Sequence, residues 1–316
     1  MNNKEAVCGI DIGGTNTTAG LVRADGQIVL KKNIPTTGHL TAIEYVSALA
    51  EIIRELIAES GYSIAGIGIG APNGNFYNGT IEFAPNLPWK GVIPFVELMI
   101  SHFPDTEVVL TNDANAAAWG EKIYGSAKNE NDFIMITLGT GVGSGIVVAG
   151  KMVYGHDGFA GEIGHTIVDP NGRSCGCGRK GCLETYTSAS GIVKTAVELM
   201  EGRKMPSILD NISRDKLSSE LIAKAALQGD TIALDVFDKT AYYLAWKLAD
   251  AVAHTSPSTI YIFGGVVKAG DLLMLPLRKY FNDFLLQIYK NKVELRLSSL
   301  PDNDAAILGA AALVQQ

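Results

Sequence analysis

The densest chemistry in the chain lies between Glu162 and Glu184. Glu162-Ile163-Gly164-His165 is followed by Cys175-Gly176-Cys177-Gly178-Arg179-Lys180-Gly181-Cys182-Leu183-Glu184. One histidine and three cysteines supply four soft and borderline ligands. The glycines between them permit the tight wrapping that a tetrahedral zinc ion requires. With His165, Cys175, Cys177 and Cys182 all as ligands, no coordination position stays open, so the Zn2+ would be structural and would activate no water. Unremarkable reduced thiols are the plain alternative, and the clustering argues against it. The fourth cysteine, Cys8, sits in an apolar stretch and is expected to be a buried thiol without a metal role.

Two glycine turns come next. Asp11-Ile12-Gly13-Gly14-Thr15-Asn16 and Leu138-Gly139-Thr140-Gly141-Val142-Gly143-Ser144-Gly145 each follow an apolar run. Glycine lets backbone approach a ligand closely, and consecutive N–H groups can cradle a phosphate. The first turn leads into a strand, so a helix-opening dinucleotide fingerprint or Walker loop is the wrong description. Alone it fits a plain Gly-Gly hairpin equally well. The second carries more glycines and hydroxyls than a hairpin needs, and two cradles gripping a polyphosphate from both sides favour ATP. Asp11, at a strand end, could order a metal-bound water. Asn112-Asp113 closes another short strand and opens a helix. Ligands of α/β sheets gather beyond the carboxyl ends of strands, and a carboxylate there can take a proton from a hydroxyl attacking phosphorus. Either residue could instead be the helix N-cap, and taken alone that is the better reading.

The elements that must position these groups repeat. Residues 7–29 read as strand, glycine turn, strand, Asp25-Gly26 turn, strand, and residues 133–153 read the same way, with Gly13 and Gly139 126 positions apart. Such a duplication implies two related α/β domains. A helix over Ala42–Ser60 is marked by Thr41 with Glu44 as a capping box, by Ile43, Val46, Leu49, Ile53 and Leu56 at helical spacing, and by Gly61 as its stop. A buried strand at 64–69, a turn-rich loop at 72–89, a strand at 107–110 and a helix at 114–123 follow. After the second meander come the cysteine loop and helices at 186–200, 218–228 and 231–254. A strand at 259–263, Gly264-Gly265, a helix at 272–289, a strand at 292–297 and a last helix at 304–314 complete the chain.

Composition narrows the class. A length of 316 residues suits two domains. With 47% apolar and 19% charged residues, disorder is excluded. A net charge of −7 without a basic block argues against nucleic acid as a partner. No stretch reads as a secretory leader or a membrane helix. Few, clustered cysteines point to a reducing cytoplasm.

These motifs together resemble the ROK (repressor, open reading frame, kinase) family, and within it the bacterial glucokinase-like sugar kinases. The resemblance runs from the Asp11–Thr15 turn through Asn112-Asp113, Leu138–Gly145, Glu162–His165 and Cys175–Glu184 to Gly264-Gly265 and the closing helix. It implies an α/β, actin-like (ribonuclease H-like) duplicated two-domain ATPase fold with an interdomain active-site cleft. Residues 1–118 plus 304–316 would form a small domain, and 119–303 a large one bearing the zinc loop. It implies Asp113 as catalytic base, with Asn112, Glu162, His165 and Glu184 holding sugar hydroxyls and His165 serving zinc and sugar through its two ring nitrogens. ATP with Mg2+ would lie on Asp11, Gly13, Gly14, Thr15, Asn16, Gly139, Thr140 and Gly141, with Gly264-Gly265 on the adenosine side. The implied activity is phosphorylation of a neutral hexose, glucose first, at the 6-hydroxyl by a cytoplasmic homodimer. An N-acetylhexosamine kinase and a non-catalytic sugar sensor are the alternatives. Family repressors carry an N-terminal helix-turn-helix domain, whereas this chain enters its first strand by Val7, so no nucleic acid partner is expected. Gly70-Ala71-Pro72-Asn73-Gly74-Asn75 departs from the family kinases' Gly-x-Pro-Gly pattern in a loop that borders the sugar.

Overall fold

The computed structural model describes residues 4–202 and 205–315. The chain forms two compact units, Met1–Asn131 with Gly145–Gly161 and Ser298–Gln316, and Asp132–Ser144 with Glu162–Leu297. The first unit runs β1 (Glu5–Ile12), β2 (Asn16–Val22), β3 (Ile28–Pro35), α1 (Ala42–Ser60) and β4 (Ser63–Gly70). A small sheet of β5 (Gly74–Asn75), β6 (Thr80–Glu82) and β7 (Val92–Ile93) follows, then α2 (Phe95–His102), β8 (Glu107–Thr111) and α3 (Asp113–Ile123). Next come β9 (Phe133–Leu138), β10 (Val142–Val148), within which the unit boundary falls, and β11 (Lys151–Met152). The second unit continues with α4 (Glu184–Thr187), α5 (Ala189–Gly202), α6 (Ser219–Leu227), α7 (Thr231–Thr255), β12 (Thr259–Phe263), α8 (Asp271–Phe284) and β13 (Glu294–Leu297). Helix α9 (Ala305–Ala312) returns to the first unit.

The two main sheets have the orders β3-β2-β1-β4-β8 and β11-β10-β9-β12-β13. In the first, β1 and β8 both run parallel to β4, while β2 is antiparallel to both β1 and β3. In the second, β9 and β13 both run parallel to β12, and β10 is antiparallel to β11. The duplication legible in the two glycine meanders therefore extends to whole five-stranded sheets. Strand β1 is buried along nearly its whole length, as a central strand covered on both faces must be. Helix α9 lies unusually close to it. A Cβ on Gly9 would sit 2.2 Å from the Ile307 carbonyl oxygen, and one on Gly68 would sit 1.9 Å from that of Ala310. Some of the chain's glycines thus serve helix-on-sheet packing rather than ligand approach.

Helix α1 begins where the capping residues place it. Thr41 accepts the Glu44 N–H at 3.1 Å, but the Glu44 carboxylate reaches Leu40 N–H at 2.9 Å rather than Thr41. Gly61, at φ 67°, closes the helix. The buried stripe is Tyr45, Val46, Leu49, Ile53 and Leu56, whereas Ile43 is 63% exposed. The first turn lies at the stripe's open end, and Tyr45 rather than Ile43 enters the core. The helix expected over 186–200 is broken at Ser188, whose Oγ accepts Gly191 N–H at 3.1 Å and so starts α5 afresh. The one expected over 272–289 stops at Phe284. Helix α2 and the small sheet carried too few residues to stand out in the sequence. Among the described residues, no helix is long and apolar enough to cross a membrane.

Candidate functional site

In the first unit the carboxyl ends of three parallel strands stand side by side. Asp11 of β1 pairs with Gly70 of β4, and Gly70 pairs with Thr111 of β8. The Gly13 turn, the Pro72 loop and Asn112-Asp113 leave from these ends. Asn112 is the N-cap of α3, its Oδ1 accepting Asn115 N–H at 2.7 Å, which leaves its Nδ2 as a donor. The cap is therefore supplied without Asp113. Asp113 is the first helical residue, and its Oδ1 accepts the Ala114 N–H at 2.8 Å. Solvent reaches its carboxyl, yet protein crowded around it strips hydration and raises its pKa above the carboxylate range, against the pull of the backbone hydrogen bonds. Asp11 is pushed up to about 6, first by burial and then by the charge of Asp113.

In the loop that departs from the kinase pattern, Asn73 stands where the pattern has its last glycine. Asn73 takes φ 52°, a left-handed conformation that Asn tolerates better than most residues. Its Nδ2 donates to the Glu82 carbonyl at 2.9 Å, and Ala71 N–H donates to Thr111 O at 3.0 Å, holding the loop against the strand that delivers Asn112.

Both glycine turns close on themselves. Gly13 N–H donates to Asn16 O and Gly139 N–H to Gly141 O, each at 3.0 Å. Neither amide is spare for phosphate, and Gly14, Thr15, Thr140 and Gly141 carry the amides that remain. In the second unit Thr137 of β9 pairs with Phe263 of β12, so the Gly139 turn and Gly264-Gly265 leave adjacent strand ends. Gly139, Thr140 and Gly265 line one cavity of about 420 Å³, completed by Ala189, Ser219, Glu220, Ala223, Phe237, Val266, Lys268 and Ala269. A Cβ on Gly139 or Gly265 would meet nothing within 4 Å, whereas one on Gly141 would lie 2.5 Å from Glu184 Oε2. The lining from α6 and α7 escaped the sequence reading, because single residues on distant helices carry no motif.

The four soft ligands converge. The donor atoms of His165, Cys175, Cys177 and Cys182 lie within 4.8 Å of one another. Cys177 and Cys182 sulfurs are 3.6 Å apart, and Cys175 Sγ is 3.6 Å from His165 Nδ1. A tetrahedral zinc with thiolates at its usual bond length separates its ligands by about 3.8 Å, so the donor set fits. Burial raises the pKa of Cys175 and pushes Cys182 up to about 12. Cys177 falls to about 6, because hydrogen bonds from Arg179 and the neighbouring thiols outweigh its desolvation. With Nδ1 turned to the sulfurs, His165 Nε2 lies 3.9 Å from Glu162 Oε2. Cys8 is buried and free, its thiol pushed up to about 12 by desolvation.

A family model described as "ROK family" matches residues 7–316. The chain belongs to the ROK family. A glucokinase of Halalkalibacterium halodurans is 36% identical over 314 residues, covering 98% of this chain and 94% of the relative. An N-acetylmannosamine kinase of Escherichia fergusonii is 34% identical, with 97% of each covered. The crystal structure of a ROK glucokinase from Streptomyces griseus in complex with glucose and AMPPNP superposes with a TM-score of 0.81 at 34% identity, covering 98% of this chain and 100% of that one. The fold is accordingly the actin-like ATPase fold, and the two matching sheets are its duplicated halves.

In this ROK chain the cysteine loop is also held by a cluster around Arg173. The Arg173 guanidinium stacks on the Tyr186 ring at 4.4 Å, pairs with both Glu198 oxygens at 2.7 and 2.6 Å, and donates to Thr185 O at 2.6 Å. Glu184, which follows the last cysteine, accepts the Val142 N–H with one oxygen and lies 3.8 Å from Cys175 Sγ with the other. Of the residues expected to hold sugar, Asn112 and Asp113 lie in the first unit, and Glu162, His165 and Glu184 in the second.

Proposed function

We propose that this ROK protein is an ATP-dependent hexose kinase that phosphorylates glucose at its 6-hydroxyl. The observation that carries the reading is the division of labour at α3. Asn112 supplies the N-cap, so the Asp113 carboxylate, with its raised pKa, is not needed in that position and bonds only N–H groups of its own turn. In the reaction the sugar O6 forms a bond to the γ-phosphorus as the bond from phosphorus to the β-bridging oxygen breaks. ADP departs with that electron pair, and the O6 proton passes to Asp113. Asn112, Glu162, His165 and Glu184 are the proposed partners of the remaining hydroxyls. With Asp113, Glu162 and Glu184 make three carboxylates in the proposed site, which favours an uncharged acceptor.

ATP is assigned to the amides of Gly14, Thr15, Thr140 and Gly141 with Asp11, Gly13, Asn16 and Gly139 shaping the turns. Its adenosine is assigned to the cavity over Gly264-Gly265. A Mg2+ accompanying ATP would offset the Asp113 charge, which adds to burial in raising the Asp11 pKa. Zinc, held by His165, Cys175, Cys177 and Cys182, would cross-link the loop and fix the His165 tautomer, with Nε2 left to meet substrate. A cytoplasmic homodimer acting on free sugar belongs to the same reading, and light scattering measures its assembly.

An ADP-release assay across glucose, mannose, fructose, N-acetylglucosamine and N-acetylmannosamine tests the proposal. Turnover highest on glucose supports it. A higher kcat/KM for an acetamido sugar moves the chain to the N-acetylhexosamine kinase reading, which the Escherichia fergusonii relative keeps open. No turnover on any sugar leaves the sensor.

A further inference from the structure

Tyr45 is a buried polar group for which the proposed reaction has no stated use. Its side chain is fully buried on α1, in a stripe otherwise filled by aliphatic residues. A phenylalanine would satisfy the packing there, so the hydroxyl needs a reason. It bonds Thr17 Oγ1 at 2.5 Å, and Thr17 Oγ1 bonds Thr36 Oγ1 at 2.8 Å, with both threonines fully buried. The two threonines flank the first glycine turn. Thr17 pairs across it with Ile12, and Thr36 N–H donates to Thr15 O at 2.8 Å. The tyrosine ring makes a second connection. It packs on Trp89 at a centroid distance of 4.5 Å, and the same loop carries Asn86, whose carbonyl oxygen would lie 2.9 Å from a Cβ on Gly14. One residue therefore touches both walls of the turn, through its hydroxyl on one side and its face on the other.

We infer that Tyr45 is a positioning residue for nucleotide binding, fixing the Gly13–Asn16 turn through the hydroxyl chain Tyr45–Thr17–Thr36. The inference rests on the proposed kinase reading, in which that turn receives phosphate. A buried hydroxyl costs stability unless every partner is met, and a fully met chain selects one backbone geometry. Burial also raises the tyrosine's pKa, so it stays a neutral hydroxyl through the working pH range. The hydrogen bonds of these hydroxyls link one another beside the glycine turn, so their loss should be felt by nucleotide and not by sugar.

The test compares Tyr45→Phe, Thr36→Val, Thr36→Ser and the Tyr45→Phe/Thr36→Val double variant in the full chain. ADP affinity is read by calorimetry, and KM is measured for ATP and for glucose. Loss of one buried hydrogen bond should weaken ADP binding about three- to tenfold and raise KM for ATP by the same factor. KM for glucose and metal content should stay at wild-type values. Thr36→Ser, which keeps the hydroxyl, should bind like wild type, and the double variant should be no worse than the poorer single one. ADP affinity within twofold of wild type in Tyr45→Phe, or equal shifts in both KM values, overturns the inference. If Tyr45→Phe does not fold, the contrast of Thr36→Val with Thr36→Ser decides the same point. A wild type that binds ADP but phosphorylates no sugar overturns the kinase reading alone, and the affinity ratios still judge Tyr45.

Discussion

Glu184 Oε2 accepts the backbone N–H of Val142 at 3.0 Å, tying the residue that ends the cysteine loop to the second glycine turn. A group assigned to sugar and a turn assigned to phosphate thus share one carboxylate. Gly141 and Gly139 should therefore respond differently to the same substitution. Gly141→Ala drives its Cβ into that carboxylate and should raise KM for both substrates. Gly139→Ala meets open space in the protein and should raise KM for ATP alone. Steady-state kinetics with each substrate varied separates the two, and identical profiles would remove the shared role of Glu184.

The base and the cap can also be separated. Asp113→Asn should cost about a hundredfold or more in kcat with Tm near wild type, since Asn112 holds the cap. Asn112→Ala should lower stability by about 1 kcal/mol through loss of that cap. In the wild type, kcat/KM should fall as pH drops through the raised Asp113 pKa, because the base is then protonated. Turnover of Asp113→Asn close to wild type would return the carboxylate to a structural role.

Asp11 gives a pH signature of its own. Its pKa rises from 3.8 to about 6 on folding, so between those values the folded state binds more proton than the unfolded one. Stability must then decline as pH increases through this window and level off above it. Asp11→Asn removes the decline, so its Tm relative to wild type should be higher at pH 7 than at pH 4. A Tm difference that does not change with pH would show that Asp11 is not desolvated as described.

Zinc should be present at one ion per chain by elemental analysis, and Cys182→Ser should lose it. KM for sugar should then rise more than KM for ATP, because in the proposed site the metal would orient His165 and the loop ending in Glu184. Arg173, stacked on Tyr186 and paired with Glu198, should keep part of the loop folded. Combining Cys182→Ser with Arg173→Ala should therefore cost more stability than either alone. Metal-free protein with unchanged sugar KM would contradict the assignment.

What the sequence discloses and what it hides follow the range of the forces involved. The Gly13 and Gly139 turns, the cysteine cluster and the strand-to-helix step at Asn112 are local, since glycine, thiol and capping chemistry act within a few residues. The duplicated sheet order follows from them. Hidden were the choice of Tyr45 over Ile43 for the core and the cavity wall built from Ser219, Glu220 and Phe237. Both are decided by what packs opposite, which no local pattern records. The division of roles at α3 was half visible. The sequence offers two possible caps, and only the backbone shows that Asn112 takes the position and Asp113 does not.

The Asn73 loop allows the sugar preference to be tested apart from the fold. Its left-handed φ of 52° is the conformation glycine would supply, so Asn73→Gly should be tolerated by the backbone. The substitution relieves a non-glycine residue of strain but gives up the bond from Asn73 Nδ2 to Glu82 O and adds chain entropy to the unfolded state. These effects oppose one another, and the net change in stability should stay within about 1 kcal/mol. If the loop merely preserves the kinase backbone with a different residue, the ratio of kcat/KM for glucose to that for N-acetylglucosamine should be unchanged in the variant. If the asparagine side chain instead shapes a pocket for a 2-acetamido group, the ratio should shift toward glucose by tenfold or so, the cost of one unpaired polar contact. A shift of that size, with stability unchanged, would mean that the departure from Gly-x-Pro-Gly is a specificity element and that an acetamido sugar is the better candidate substrate.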